Sequence, residues 1–176
     1  MLFENKVNNN FKAKVQEVSN KLGINPDWLM AVMMMESNIN PQAVNLVSGA
    51  TGLIQFMPAT AIGLGTTTAA LKSMTGVQQL DYVYKYFYPY RSKLYSLYDL
   101  YMVTFFPLFV GETNPEKVIQ GGGLSAGIIA KQNPTMDINK DGQVTVGEFQ
   151  QYIDKRLKSF GLTEQQIIEL TKKKDF

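Results

Sequence analysis

Glu36 is the first charged residue after eight consecutive apolar ones, Trp28 to Met35. A carboxyl at that position is expected to be partly desolvated, which favours its protonated form. It also falls near the C-terminus of the helix predicted below, where the partial negative charge of the backbone pushes the same way. A carboxyl held protonated near neutral pH can donate to a leaving oxygen, which is general-acid chemistry. A second cluster of oxygen ligands lies far downstream, at Asp137, Asn139, Asp141 and Glu148. Regularly spaced oxygens of that kind suit a hard divalent cation.

Composition narrows the chemistry. The 176 residues include no cysteine and no histidine. Disulfides, thiolate zinc sites, Ser-His-Asp and Cys-His machinery and histidine-ligated zinc are all excluded. What remains is carboxylate, hydroxyl, Lys, Arg or Tyr chemistry. The net charge of +2 carries no basic stripe, so no nucleic-acid partner is expected. The longest apolar run, Leu100 to Val110, contains Thr104 and Pro107 and is far short of the ~20 residues of a bilayer span, so no membrane insertion is expected. Residues 1–10 are polar and carry no signal-peptide core.

The elements that must position these groups read as helices. Phe11, Val15, Val18 and Leu22 share a helical face, and Gly23 follows as a cap. Asn25-Pro26 opens a second helix that is apolar all round and ends near Glu36. Residues 41–51 read as loop, and a helix begins near Pro58 or Ala59. Pro89 divides the tyrosine-rich stretch from Val77 to Phe106 into two helices, and Gly121 to Gly123 marks a connection. Helices follow over 147–160 and from Thr163, whose capping box is completed by Gln166. The expected fold is all-α with little or no sheet. A core over residues 1–120 would be followed by a loop and C-terminal helices over 121–176.

After Glu36-Ser37 come Asn40-Pro41, then Ser48-Gly49-Ala50-Thr51-Gly52-Leu53-Ile54-Gln55-Phe56-Met57-Pro58, then Thr60-Ala61. This pattern resembles the signature of the soluble lytic transglycosylases, with Ile54 in place of the usual methionine; goose-type lysozymes share much of it. The resemblance covers about 30 residues. It implies a lysozyme-like fold, Glu36 as catalytic acid, and Ser37, Asn45, Gln55 and Phe56 as substrate-binding. Gly49 and Gly52 would let the backbone turn tightly beside a sugar chain. Gln55 would offer both a donor and an acceptor to an N-acetyl group or hydroxyls. The family also has an Ala-Tyr-Asn-x-Gly-like stretch whose tyrosine supports the catalytic acid. Here Leu100 to Pro107 contains Tyr101 but no Tyr-Asn pair, so Tyr101 is the candidate for that role, with core packing as its other reading.

The resemblance implies cleavage of peptidoglycan between N-acetylmuramic acid and N-acetylglucosamine. One carboxylate suffices for a transglycosylase, whereas a hydrolytic lysozyme usually needs a second, for which Asp81 and Asp99 are the candidates. The alternatives are that hydrolytic enzyme and a non-catalytic wall-binding or structural virion protein of the same fold. The departures look more like lysins of bacteriophage particles than cellular enzymes. Peptidoglycan is thus the expected partner, with other particle proteins as further candidates. Delivery to the periplasm or wall by a particle, holin or injection device is the expected route.

Asp137-x-Asn139-x-Asp141-Gly142-x-x-Thr145-x-x-Glu148 matches the twelve-residue EF-hand loop. Asp137, Asn139 and Asp141 would supply side-chain oxygens, Gln143 a backbone carbonyl and Glu148 both of its oxygens. Pro134 breaks the incoming helix, and the sequence offers no second loop to pair with. Calcium here would be a structural clip, not needed for the chemistry.

Overall fold

In the first unit every main helix begins at a cap legible in the sequence. The computed structural model describes residues 1–175. Asn8 caps α1 (Asn9–Leu22) by accepting from the Phe11 N–H, and Gly23 closes it in the left-handed conformation. Asn25 caps α2 (Pro26–Ser37), with Pro26 in the first turn. Trp28 to Met33 and Met35 of α2 are buried, as the all-round apolar pattern predicts. At roughly 1.5–3 kcal/mol per large apolar side chain, this burial and not helix propensity holds α2 in place.

The short helices α3 (Pro58–Gly63) and α4 (Thr68–Ser73) lead to α5 (Gly76–Phe87), which opens with a Thr75–Gln78 capping box. α1 packs on both α2 and α5. Tyr88–Lys93 forms a 3-10 turn around Pro89. The chain divides into two compact units, Met1–Leu94 and Tyr95 onward. The glycine run at 121–123 therefore lies inside the second unit, where Gly121 and Leu124 exchange backbone hydrogen bonds.

The second unit holds α6 (Leu97–Phe105), α7 (Ala126–Gln132), α8 (Val146–Ser159) and α9 (Glu164–Thr171). α9 packs on α6 and α8. The Tyr98 hydroxyl of α6 donates to Asp154 Oδ1 of α8 at 2.7 Å. Thr163 and Gln166 form the expected capping box at the start of α9.

The fold is all-α. Among the described residues the only strand-like pairings are isolated bridges, such as Val44 with Thr51 and Val118 with Thr145. No helix among them is long and apolar enough to cross a membrane.

Candidate active site

α2 stops immediately after Glu36-Ser37, and it stops sharply. Asn38 and Ile39 both take left-handed backbone angles, φ 56° and 58°. Asparagine tolerates this conformation, but a β-branched residue does so at a cost of order 1–3 kcal/mol. Burial of the Ile39 side chain and a bond from its N–H to the Met33 carbonyl (3.1 Å) hold the strained turn. Glu36 and Ser37 are half-buried at this end.

The segment after the turn folds back onto it. Thr51 and Phe56 exchange both backbone hydrogen bonds, at 3.0 and 2.9 Å, and enclose a tight turn over 52–55. Gly52 (φ 87°) and Gln55 (φ 55°) are both left-handed, which only glycine adopts freely. The Ser37 hydroxyl donates to the Leu53 carbonyl at 2.9 Å, binding the end of α2 to this turn. It also accepts from the Asn40 N–H at 3.2 Å. Ser37 is thus committed to its own backbone surroundings.

Gln55 differs from the expectation in one respect. Its Nε2 donates to the Ala43 carbonyl at 3.2 Å and to the Gly52 carbonyl at 3.0 Å, so both amide hydrogens serve the loop. Two carbonyl acceptors fix which end of the amide is nitrogen, and the carbonyl oxygen is what Gln55 can present to a ligand. Asn45 is exposed, and its Oδ1 accepts from the N–H groups of Val47 (2.9 Å) and Ser48 (3.1 Å), shaping the tip of the loop. Phe56, expected to touch substrate, is only 2% exposed. Its ring has no open face for a sugar and packs edge-on against Tyr86, with centroids 6.1 Å apart.

Tyr86 is the residue that the sequence reading missed. It sits on α5, half-buried, against the rings of Phe56 and Phe87. Its hydroxyl is pushed far above the ordinary tyrosine range by burial, then by Tyr90 and by Glu36. The hydroxyl therefore stays protonated and able to donate, and the charge of the candidate acid is one of the causes. The signal was present as a tyrosine repeat at i, i+4 and i+8: Tyr82 and Tyr86 on α5, which packs on α1, and Tyr90 in the 3-10 turn that follows. Tyr101 belongs to the second unit, where it is buried with its ring 5.9 Å from Phe149.

Neither candidate for a second carboxylate is poised to activate water. Asp81 is well exposed and paired with Lys14 at 2.8 Å. Asp99, in the second unit, accepts from the Tyr95 N–H (3.0 Å), the Ser96 hydroxyl (3.0 Å) and the Gly111 N–H (3.2 Å). Those three donors make it a clamp on the start of α6 and on the loop after it.

The loop over 137–148 is a succession of turns closed by its own side-chain oxygens. Asp137 accepts from the N–H groups of Asp141 (3.1 Å) and Gly142 (3.0 Å), Asn139 from Asp141 (3.0 Å), and Asp141 from Gln143 (2.9 Å). Gly142 is left-handed at φ 83°, where the turn requires it. Glu148 reaches back, accepting from Ile138 N–H at 2.8 Å through Oε2 and from Thr145 N–H at 3.1 Å through Oε1. Asp137 and Glu148 are 8% and 7% exposed, an unusual burial for two acids whose bonding partners are neutral N–H and hydroxyl groups. Residue types, order and burial fit a calcium ion. The side chains do not yet converge, since no three acidic groups among the described residues gather as metal ligands would.

The pairing partner that the sequence did not offer is residues 115–119. The Ile119 N–H donates to the Val144 carbonyl at 2.8 Å, Val146 to Lys117 at 2.9 Å, and Gly147 to Pro115 at 2.9 Å. Lys117 itself pairs with Glu112 at 2.7 Å. The exit side of the 137–148 loop is thereby held by a neighbouring segment.

No curated protein matches the chain. Residues 13–91, a stretch lying wholly within the first unit and containing Glu36, Gln55 and Tyr86, match the family model of the Transglycosylase SLT domain, which supports the lytic transglycosylase family.

Proposed function

We propose that the protein cleaves the glycan strand of peptidoglycan between N-acetylmuramic acid and N-acetylglucosamine, by lytic transglycosylation with Glu36 as the single acid and base. The observation that carries this reading is the junction of Glu36-Ser37 with the 52–55 turn through the Ser37–Leu53 bond, inside the stretch that matches the transglycosylase domain.

Glu36 begins protonated and gives its proton to the glycosidic oxygen as the C1–O bond breaks. The resulting carboxylate takes the proton of the muramic C6 hydroxyl, whose oxygen attacks C1 and closes a 1,6-anhydro ring. The substrate supplies its own nucleophile, so no second carboxylate is required. This agrees with Asp81 being engaged by Lys14. Tyr86, a neutral donor beside Glu36, stabilises the carboxylate during the interval in which it is charged. The Gln55 carbonyl oxygen accepts from an N-acetyl N–H or a sugar hydroxyl.

We assign to the second unit a calcium ion held by the side chains of Asp137, Asn139, Asp141 and Glu148 and the backbone carbonyl of Gln143. Bound there, the ion contributes charge neutralisation and rigidity, and no step of the reaction passes through it.

Mass spectrometry of sugars released from purified peptidoglycan, by wild type and by Glu36→Gln, tests the reaction. Anhydro-muramic ends that vanish in the variant support it. Reducing muramic ends would make the protein a hydrolytic lysozyme. Absence of products from the wild type would leave a wall-binding or structural protein.

A further inference from the structure

Gln79 is a fully buried amide on α5 whose hydrogen bonds all go to backbone of other segments. Its Oε1 accepts from the Leu53 N–H at 3.0 Å. Its Nε2 donates to the Leu71 carbonyl at 2.7 Å and to the Pro41 carbonyl at 2.5 Å. Three segments thus meet on one side chain: the end of α4, the stretch leaving α2, and the turn that carries Gln55. An apolar side chain of the same size would leave the buried Leu53 N–H without a partner and take a donor from the Pro41 carbonyl, while the Leu71 carbonyl would keep its bond from the Met74 N–H.

The turn is fitted against this amide. A Cβ at Gly52 would lie 2.5 Å from Gln79 Oε1 and 3.0 Å from its Cδ, so no side chain fits there while Gln79 keeps its place. On its other side Leu53 offers its carbonyl to Ser37, the neighbour of Glu36. Leu53 is therefore gripped at its N–H from α5 and at its carbonyl from α2.

We propose that Gln79 is a positioning residue for the reaction, setting where the 52–55 turn and Gln55 stand relative to Glu36. The inference rests on the reading of Glu36 as the acid. It acts through two backbone groups: Leu53 N–H fixes the turn, and the Pro41 carbonyl fixes the segment leaving the strained end of α2. A side chain with only a packing role would affect stability and leave turnover per folded molecule unchanged.

The test uses the full chain with Gln79→Met and Gln79→Glu, and Glu36→Gln as control. Three quantities are read: kcat and KM on soluble glycan strands, thermal unfolding, and amide exchange in a peptide spanning Leu53. Misplacement of a catalytic constellation by a fraction of an ångström to 1 Å lowers turnover by about ten- to a hundredfold. For folded Gln79→Met, kcat should fall by that amount, KM should change little, and the Leu53 amide should exchange faster. Gln79→Glu keeps the acceptor and regains one donor only when protonated, so its kcat relative to wild type should rise as pH falls from about 7 to about 5. This second variant carries the test if Gln79→Met does not fold.

Unchanged turnover per folded molecule, or unchanged exchange at Leu53, overturns the positioning role while Glu36→Gln is still dead. A wild type that releases no sugar brings down the reading of Glu36 itself, and the positioning role with it.

Discussion

The Ser37 hydroxyl donates to the Leu53 carbonyl at 2.9 Å across sixteen residues of sequence, joining the helix that carries Glu36 to the turn that carries Gln55. Removing it in Ser37→Ala takes the donor from that carbonyl, while the Asn40 N–H keeps its bond to the Ser37 backbone carbonyl at 3.1 Å. A bond of this kind contributes about 1 kcal/mol net. Urea unfolding should register that loss, and sugar release should fall several-fold because the two halves of the site are no longer tied. An alanine variant with full activity and full stability would show that the bond does not hold the site.

Tyr86→Phe removes a hydroxyl and retains the ring that packs on Phe56 and Phe87. Stability should change by less than about 1 kcal/mol, since the ring contacts survive. The kcat should fall by roughly ten- to a hundredfold, the scale of one hydrogen bond lost from a charged group. The sign of the pH effect follows from the raised hydroxyl. Burial, Tyr90 and Glu36 keep it protonated well above neutrality, so it contributes no alkaline limb to the rate profile. Tyr86→Phe should lower the plateau of the pH–rate curve, and any limb that moves should move to higher pH, because a Glu36 carboxylate that has lost a donor protonates more readily. A full plateau in the variant would mean that the hydroxyl takes no part in turnover.

Much of the first unit was legible in the sequence because its rules are local. Asn25-Pro26 announces the start of α2, the unbroken apolar run announces its burial, and Gly23 ends α1 where a left-handed residue is needed. The Glu36 and Gln55 pattern pointed to a candidate site through its resemblance to a known family. What escaped was non-local. Gln79 reads as one polar residue on a helix until Leu53, Leu71 and Pro41 are folded against it. Phe56 lies in a motif that resembles a sugar-binding segment, and only the packed structure shows its ring turned inward on Tyr86. The segment at 115–119 has no strand pattern of its own, and its pairing with 144–147 exists only in three dimensions.

Gly52 illustrates how two constraints meet at one position. Its φ of 87° disfavours any side chain, and a Cβ would press on Gln79 Oε1 at 2.5 Å. Gly52→Ala should therefore cost about 2–4 kcal/mol, the sum of a strained backbone and a buried clash. Adding Gln79→Ala removes the clash but not the strain. In a double-mutant cycle the pair should couple by about 1 kcal/mol or more, with the double variant more stable than the sum of the singles. Strict additivity, measured by urea unfolding, would mean that the turn does not rest on the amide.

The acids of the 137–148 loop predict a calcium-dependent stability in the second unit. Asp137 and Glu148 are buried, and uncharged N–H and hydroxyl groups hold them. A calcium ion binding the folded loop and not the unfolded chain stabilises by about 2.7 kcal/mol when its concentration is a hundred times Kd. Thermal unfolding in calcium should therefore occur several degrees higher than in chelator, and magnesium at equal concentration should do less, since it demands a tighter octahedron. Glu148→Gln keeps an acceptor for only one of the Ile138 and Thr145 N–H groups and removes a ligand charge, so its unfolding should begin lower and no longer respond to calcium. Because the ion takes no part in the proposed chemistry, chelation should leave kcat per folded molecule unchanged at low temperature. A kcat that tracks free calcium in fully folded protein would give the loop a part in turnover, and an unfolding temperature indifferent to calcium would remove the ion altogether.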